Sequence, residues 1–132
     1  MTKEFIPYEE ALALKELGFN EECFAVYSEK GVLSPITNLK PCNSNVPSYA
    51  TAPLYQQAFR WFREKHNFIV QIGLACNGNH YVVIHKTTEE YLAQISGLSN
   101  PCFEEIVDLY SYEEAELACL RKLIEIVKEK QL

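Results

Sequence analysis

Hydrophobic positions recur at helical spacing in three segments of the chain. In the first, PYEEALALKELG, Pro7 suits the first helical position and Gly18 the position just past the end. The second predicted helix runs from about Pro53 to His66. The third starts at SYEE, where Ser111 and Glu114 match a capping box, and runs to about residue 130. The apolar stripe of the first helix consists of Ala11, Leu14 and Leu17.

Alternating apolar and polar positions predict strands between these helices. CFAVYSEKGVLSPI predicts one hairpin, with its turn at Ser28–Gly31. FIVQIGLAC and NHYVVIHK predict a second hairpin around Asn77-Gly78, because Asn-Gly between two alternating apolar runs is a strong hairpin signal. FEEIVDLY predicts a fifth strand.

The order of these elements predicts an α+β fold in a single globular domain over residues 1–132. We expect an antiparallel sheet of about five strands, two hairpins plus one strand, packed with three helices, the last one long. The segment TTEEYLAQISGLSNP predicts one further short helix and a turn. Residues 37–53, which are rich in Pro, Asn and Ser, predict a long surface loop.

The second helix separates its aromatic residues from its arginines. Gln56, Arg60 and Arg63 recur at i, i+4 and i+7, opposite the aromatic arc. Bases stack where aromatics lie beside cations, so this pattern favours a core helix over a nucleic-acid platform. The polar strip predicts either a solvated face or a small anion site at Gln56, Arg60 and Arg63. The apolar arc consists of Leu54, Tyr55, Ala58, Phe59, Trp61 and Phe62.

Charge and composition exclude several classes of function. The formal net charge of −6 argues against general DNA or RNA binding, which needs an excess of Lys and Arg. No stretch approaches the roughly 20 apolar residues that span a bilayer, so no membrane association is expected. The N-terminal MTKEFIPYEE lacks the apolar run of a signal peptide.

Five cysteines at wide spacing, with no Cys-x-x-Cys, argue against zinc and against a disulfide scaffold. They predict a reducing, cytoplasmic setting. Cys42 and Cys102 each follow a proline and are predicted in loops. Either is a candidate nucleophile, but no neighbouring residue indicates a lowered thiol pKa, so the pattern favours inert surface thiols. Cys119 is predicted in the core. No phosphate-binding, hydrolase or metalloprotease motif occurs, so we predict no catalytic residue, no metal and no cofactor.

The length of the turn at Asn77-Gly78 decides which side chains of the second hairpin share a face. A two-residue turn places Cys76 and His85 on one face and His80 on the other. That parity argues against a Cys76–His80 dyad and a His80–His85 metal pair. A three-residue bulged turn would reverse the argument.

The last helix has a wide apolar arc with a carboxylate, Glu116, in its middle. Glu116 either reaches water from a frayed first turn or is held for a partner. Leu117 and Ile124 lie at one margin of the arc, which predicts a partner surface and a homodimer at Glu116, Leu117 and Ile124. The alternative is a monomer in which the 87–100 segment folds over this margin.

Three segments together, IPYEEALALKELGF, YQQAFRWFREKHNF and YSYEEAELACLRKLIEIVK, resemble an uncharacterised family of small phage and prophage proteins from Bacteroides-like gut bacteria. The resemblance implies a phage accessory protein in the bacterial cytoplasm, and it implies no activity or cofactor. We therefore expect a non-enzymatic protein that binds a host or phage protein. The alternatives are a small-ligand or nucleotide-sequestering protein and a cysteine-dependent hydrolase.

Overall fold

The computed structural model describes residues 4–36, 41–45, 50–86 and 104–131. They form an α+β fold with three helices, the last one long, and six strands in two three-stranded antiparallel sheets. The helices are α1 (Tyr8–Glu16), α2 (Tyr55–His66) and α3 (Tyr112–Gln131). The strands are β1 (Ala25–Tyr27), β2 (Leu33–Pro35), β3 (Ala50–Thr51), β4 (Phe68–Leu74), β5 (His80–Lys86) and β6 (Glu104–Leu109).

The α+β prediction is thus confirmed, but the prediction of about five strands in one sheet is wrong for the described residues. The strands form one sheet in the order β2-β1-β3 and another in the order β4-β5-β6. The sixth strand is β3, which pairs with β1 inside the segment predicted as a loop. Two residues are too few to show any periodicity, so the pattern could not reveal this strand. The short helix predicted after β5 lies outside the described residues.

Two compact units divide the chain: residues 1–58 with 124–132, and residues 59–123. The first unit contains α1 and the sheet β2-β1-β3, and the second contains the sheet β4-β5-β6. The single domain predicted over the whole chain stays a prediction.

In the first unit, α1 forms where the sequence predicts it. Pro7 precedes the helix in an extended conformation, and Gly18 follows its last turn with φ of +99°. Glycine adopts this left-handed conformation without a steric penalty, so it suits the end of a helix. The predicted stripe of Ala11, Leu14 and Leu17 is buried.

A buried amide, Asn43, fixes the described part of the predicted loop. Its Nδ2 donates to the carbonyl oxygen of Phe19 at 2.6 Å, and its Oδ1 accepts from the backbone N–H of Thr51 at 3.0 Å. One side chain therefore satisfies a carbonyl just past α1 and an N–H in β3. Burying polar groups without partners costs free energy. The two hydrogen bonds of Asn43 therefore explain how a polar segment can enter a core.

Both hairpins use the same three-residue loop, with glycine in its third position. In the first, the Gly31 N–H donates to the Ser28 carbonyl at 2.9 Å. In the second, the Gly78 N–H donates to the Ala75 carbonyl at 3.0 Å. Gly31 has φ of +80° and Gly78 has φ of +87°, the left-handed conformation that this loop requires.

The second hairpin therefore has a loop of Cys76, Asn77 and Gly78 rather than the predicted two-residue turn. The observed register pairs Leu74 with His80, Ile72 with Val82 and Val70 with Ile84. The predicted face parity is wrong, because the extra loop residue moves every side chain of β5 to the other face. His80 thus shares a face with Leu74, not with Gly73. His80 and His85 still lie on opposite faces, since they are five residues apart on one strand.

The aromatic arc of α2 is buried as predicted. Trp61 is 5% exposed and Phe62 is fully buried, and their rings meet edge to face with centroids 5.1 Å apart. Gln56, Arg60 and Arg63 are exposed. The core interpretation of the aromatic residues is confirmed.

We expect Asn43→Ala to lower the free energy of unfolding by about 2–4 kcal/mol, because it removes the partner of two buried backbone groups. Denaturant titration measures the loss. The matched control is Asn20→Ala, which removes an exposed hydrogen bond from the Ser44 N–H to Asn20 Oδ1. A loss no larger for Asn43→Ala than for Asn20→Ala would contradict the role of the amide.

We expect Gly78→Val to cost about 1–2 kcal/mol, because a β-branched residue strains the left-handed backbone there. Within the described residues, no atom lies within 4 Å of the Cβ that a side chain would add, so we attribute the expected cost to backbone strain. Gly78→Asn is the control, since asparagine tolerates this conformation. Equal unfolding free energies for the two variants would argue against the strain.

Candidate functional site

The surface with the clearest functional character lies where β6 passes into α3. Tyr110 is 81% exposed and Tyr112 is 45% exposed, on either side of Ser111. The Tyr112 ring meets the His80 ring edge to face, with centroids 6.3 Å apart. We call Tyr110, Tyr112 and His80 the tyrosine patch.

The strand register extends this patch across the sheet. Leu109 and Leu74 are the cross-strand neighbours of His80 on either side. Leu74 is 66% exposed, so an aliphatic side chain continues the patch toward β4. The Nδ1 atom of His80 is buried and has no hydrogen-bond partner among the described residues.

A helix cap holds the two tyrosines in place. The Ser111 Oγ accepts from the Glu114 N–H at 3.1 Å, and Glu114 Oε2 accepts from the Tyr110 N–H at 3.0 Å. The predicted cap by Ser111 is confirmed, although the Glu114 carboxylate reaches the residue before it. Both bonds fix the backbone next to Tyr110, so its exposed ring extends from an ordered junction.

Acidic residues are frequent in the sequence on either side of Tyr110 and Tyr112. Between residues 104 and 120 the chain has six carboxylates and no Lys or Arg. Glu113 and Glu114 lie in the first turn of α3, where the helix dipole favours negative charge. Tyr110 and Tyr112 therefore belong to an acidic stretch of the chain.

Glu116 lies one turn after Tyr112 and is half-buried in an unfrayed part of α3. Burial raises the pKa of the Glu116 carboxyl, and the nearby Glu113 charge raises it further. Burial also raises the pKa of the Tyr112 hydroxyl, with a smaller contribution from Glu116. Of the two interpretations of Glu116, a frayed first turn is not what the structure has, and a partner for Glu116 stays a prediction.

The other predicted partner residues differ in their exposure. Leu117 is half-buried, whereas Ile124 is only 7% exposed. The side chain of Ile124 therefore offers little apolar surface to a second copy of the chain. A dimer through α3 stays a prediction. Of the three residues predicted for its interface, Glu116 and Leu117 are the ones with exposed side-chain surface.

The cysteines divide into buried and accessible thiols. Cys119 is fully buried, as predicted, and burial raises the pKa of its thiol to about 12. Burial likewise raises the pKa of Cys23 to about 11, and its thiol donates to the Glu21 carbonyl at 3.4 Å. Because the thiolate is the nucleophile, both side chains are unreactive near neutral pH.

Among the described residues, Cys42 has no base as its hydrogen-bond partner. Cys42 Sγ lies 3.3 Å from Ser44 Oγ, and a serine hydroxyl cannot act as the required base. Cys76 is exposed in the three-residue hairpin loop, so the predicted parity that argued against a Cys76–His80 dyad does not hold. Cys102 lies outside the described residues.

The described residues contain no group of three or more His, Cys, Asp or Glu side chains that could hold a metal ion. None of the helices within the described ranges is long and apolar enough to cross a membrane. No protein-family model, curated protein or solved structure matches the chain.

Sequence reasoning missed the tyrosine patch because Tyr110 and Tyr112 were assigned only to a strand end and a helix start. A signal was available: the residue before a helix cap lies outside the helix, and Tyr-Ser-Tyr places two large rings at such a junction. His80 was missed because the predicted turn placed it on the wrong face.

We expect Glu116→Gln to stabilise the fold at neutral pH by less than about 1 kcal/mol, since Glu116 is only partly buried. With a raised pKa, the folded state binds this proton more tightly than the unfolded chain does. Its contribution to stability therefore falls as pH rises through the ordinary value of 4.5 toward the raised pKa, and stays low above it.

Thermal unfolding from pH 3 to 8 measures this effect. In Glu116→Gln, the part of the fall in stability with pH that comes from the Glu116 carboxyl should be absent. Glu105→Gln removes the same charge from an exposed position on β6 and is the control. A Glu116→Gln profile parallel to that of the unsubstituted protein would contradict the raised pKa.

Proposed function

We propose that this chain is a non-enzymatic accessory protein of phage origin that binds a host or phage protein through the tyrosine patch. The observation that carries the proposal is the exposure of Tyr110 and Tyr112 beside His80 on an ordered strand–helix junction. Tyrosine is enriched among residues that dominate binding energy, because its rigid ring buries a large area at low entropic cost.

The acidic stretch of chain that contains Tyr110 and Tyr112 supports a partner of opposite charge. Six carboxylates between residues 104 and 120 lie on a protein that already has a net charge of −6. Such a surface repels acidic partners and attracts a protein with exposed Lys and Arg around an apolar centre. The proposed partner is therefore a basic protein surface, and its binding should weaken as salt increases.

The experiment uses the full chain, immobilised and exposed to a lysate of the host bacterium, with captured proteins identified by mass spectrometry. The captured protein is then purified and its Kd is measured against the unsubstituted chain. We expect Tyr110→Ser to raise Kd by about tenfold or more, because the variant loses a central ring.

Phe24→Ser is the matched control, since Phe24 is 52% exposed and lies in the other compact unit. It should leave Kd unchanged. Binding that is equally sensitive to the two substitutions, or insensitive to Tyr110→Ser, would refute the tyrosine patch as the binding surface.

Small-ligand or nucleotide binding is the alternative, and it is favoured by the joint exposure of Gln56, Arg60 and Arg63 along α2. Paired guanidinium groups suit phosphate or carboxylate oxygens. Equilibrium dialysis with inorganic phosphate and with ATP tests this alternative. Binding that is lost in Arg60→Gln and kept in Tyr110→Ser would favour it over the protein partner.

A further inference from the structure

The outer edge of β4 is open in the part of the chain that the structure describes. In the sheet order β4-β5-β6, β4 has a single neighbour, β5. An edge strand presents unpaired backbone groups that can pair with another strand. Its sequence from Ile69 to Leu74, IVQIGL, contains no charged residue and no proline.

The register identifies which backbone groups face outward. The Ala75 N–H donates to the Asn79 carbonyl at 2.8 Å, so Ala75 and Asn79 form a hydrogen-bonded pair. Such pairs alternate along an antiparallel ladder, which assigns Gly73, Gln71 and Ile69 to bonding with β5. The N–H and C=O groups of Val70, Ile72 and Leu74 therefore point toward the outer edge.

On one face of this sheet, the side chains of β4 are less buried than their partners on β5, as expected if β4 lacks a neighbouring strand on its outer side. Val82 and Ile84 on β5 are fully buried, whereas their partners Ile72 and Val70 on β4 are half-buried. A further strand beside β4 would cover the outer flank of these two side chains.

The opposite edge of the same sheet is built differently. β6 has acidic residues at Glu104, Glu105 and Asp108, and its register shifts between His80 and Val82 of β5. Asp108 has φ of +63°, which marks a bulge. Charges and bulges are the features by which natural sheets prevent pairing at an edge. β6 has both, and residues 69–74 of β4 have neither a charge nor a register shift.

We propose that β4 pairs in antiparallel fashion with β4 of a second copy of the chain, around a two-fold axis at Gln71. In this register Val70 of one copy lies opposite Ile72 of the other, and both residues have outward-facing backbone groups. Ile69 of each copy lies opposite Gly73 of the other copy. The Tyr81 ring of the same chain covers this glycine.

A second copy fits this edge because it supplies the same uncharged segment, so that pairing the two strands buries no charge. An acidic protein with a net charge of −6 repels another copy of itself, so self-association requires an uncharged surface. The 69–74 segment is such a surface, and an antiparallel two-fold arrangement makes it complementary to itself. The proposal does not use Tyr110 or Tyr112, so it can fail while the proposed function holds.

Light scattering of the purified full chain, over a range of micromolar concentrations, tests the proposal. We expect a mass of twice 15.2 kDa at the upper concentrations. Gln71→Lys places two like charges at the axis and should weaken the dimer by about tenfold or more. Gln56→Lys adds the same charge to an exposed position on α2 and should leave the dimer intact.

Ile72→Pro gives a second test. Proline removes the outward N–H of residue 72 without removing a bond to β5, so the variant should fold and remain monomeric. Circular dichroism confirms that it has folded. A monomeric mass for the unsubstituted chain at all concentrations overturns the proposal. So does a dimer that survives Gln71→Lys but is lost in Leu117→Lys, which would assign the interface to α3.

Discussion

The left-handed backbone at Gly78 is the constraint on which the second sheet depends. It closes a three-residue loop rather than a two-residue one, and the loop length sets the register of β4 against β5. That register assigns His80 to the same face as Leu74 and leaves the backbone groups of Val70 and Ile72 facing outward. Both the tyrosine patch and the proposed dimer edge follow from the conformation of one residue without a side chain.

The two surfaces differ in their electrostatics, and the difference follows from the sequence of each element. The junction of β6 and α3 collects carboxylates, partly because acidic residues stabilise the first turn of a helix. The β4 edge has none, because every position from 69 to 74 is apolar, amide or glycine. The first surface is the one proposed for a basic partner, and the second is the one proposed for a second copy of the chain. A charged partner and a second copy would not compete for the same kind of contact.

The sequence predicted the long and strongly patterned elements well. α2 and α3 have several turns, so their apolar arcs are distinct, and the burial of Trp61 and Phe62 followed directly. β3 was not predictable, since it has two residues and depends on Asn43, whose partners lie 24 and 8 positions away along the chain. The hairpin loop was misjudged because Asn-Gly is typical of two-residue turns, and the same glycine also suits the third position of a longer loop. Of the candidate site, Glu116 was found from the helical pattern, whereas the tyrosine patch required the observed register.

The Asn77-Gly78 step also has a chemical consequence over the lifetime of the protein. An asparagine followed by glycine can cyclise to a succinimide: the glycine backbone nitrogen attacks the side-chain carbonyl carbon of the asparagine, ammonia leaves, and water later opens the ring. Glycine has no side chain to hinder this attack. Asn77 is exposed, and its side-chain oxygen accepts a hydrogen bond from the Asn79 N–H at 3.0 Å. When the ring opens to isoaspartate, the main chain gains one methylene in the loop whose length defines the sheet. Ageing of this one exposed amide would therefore lengthen the loop without any mutation.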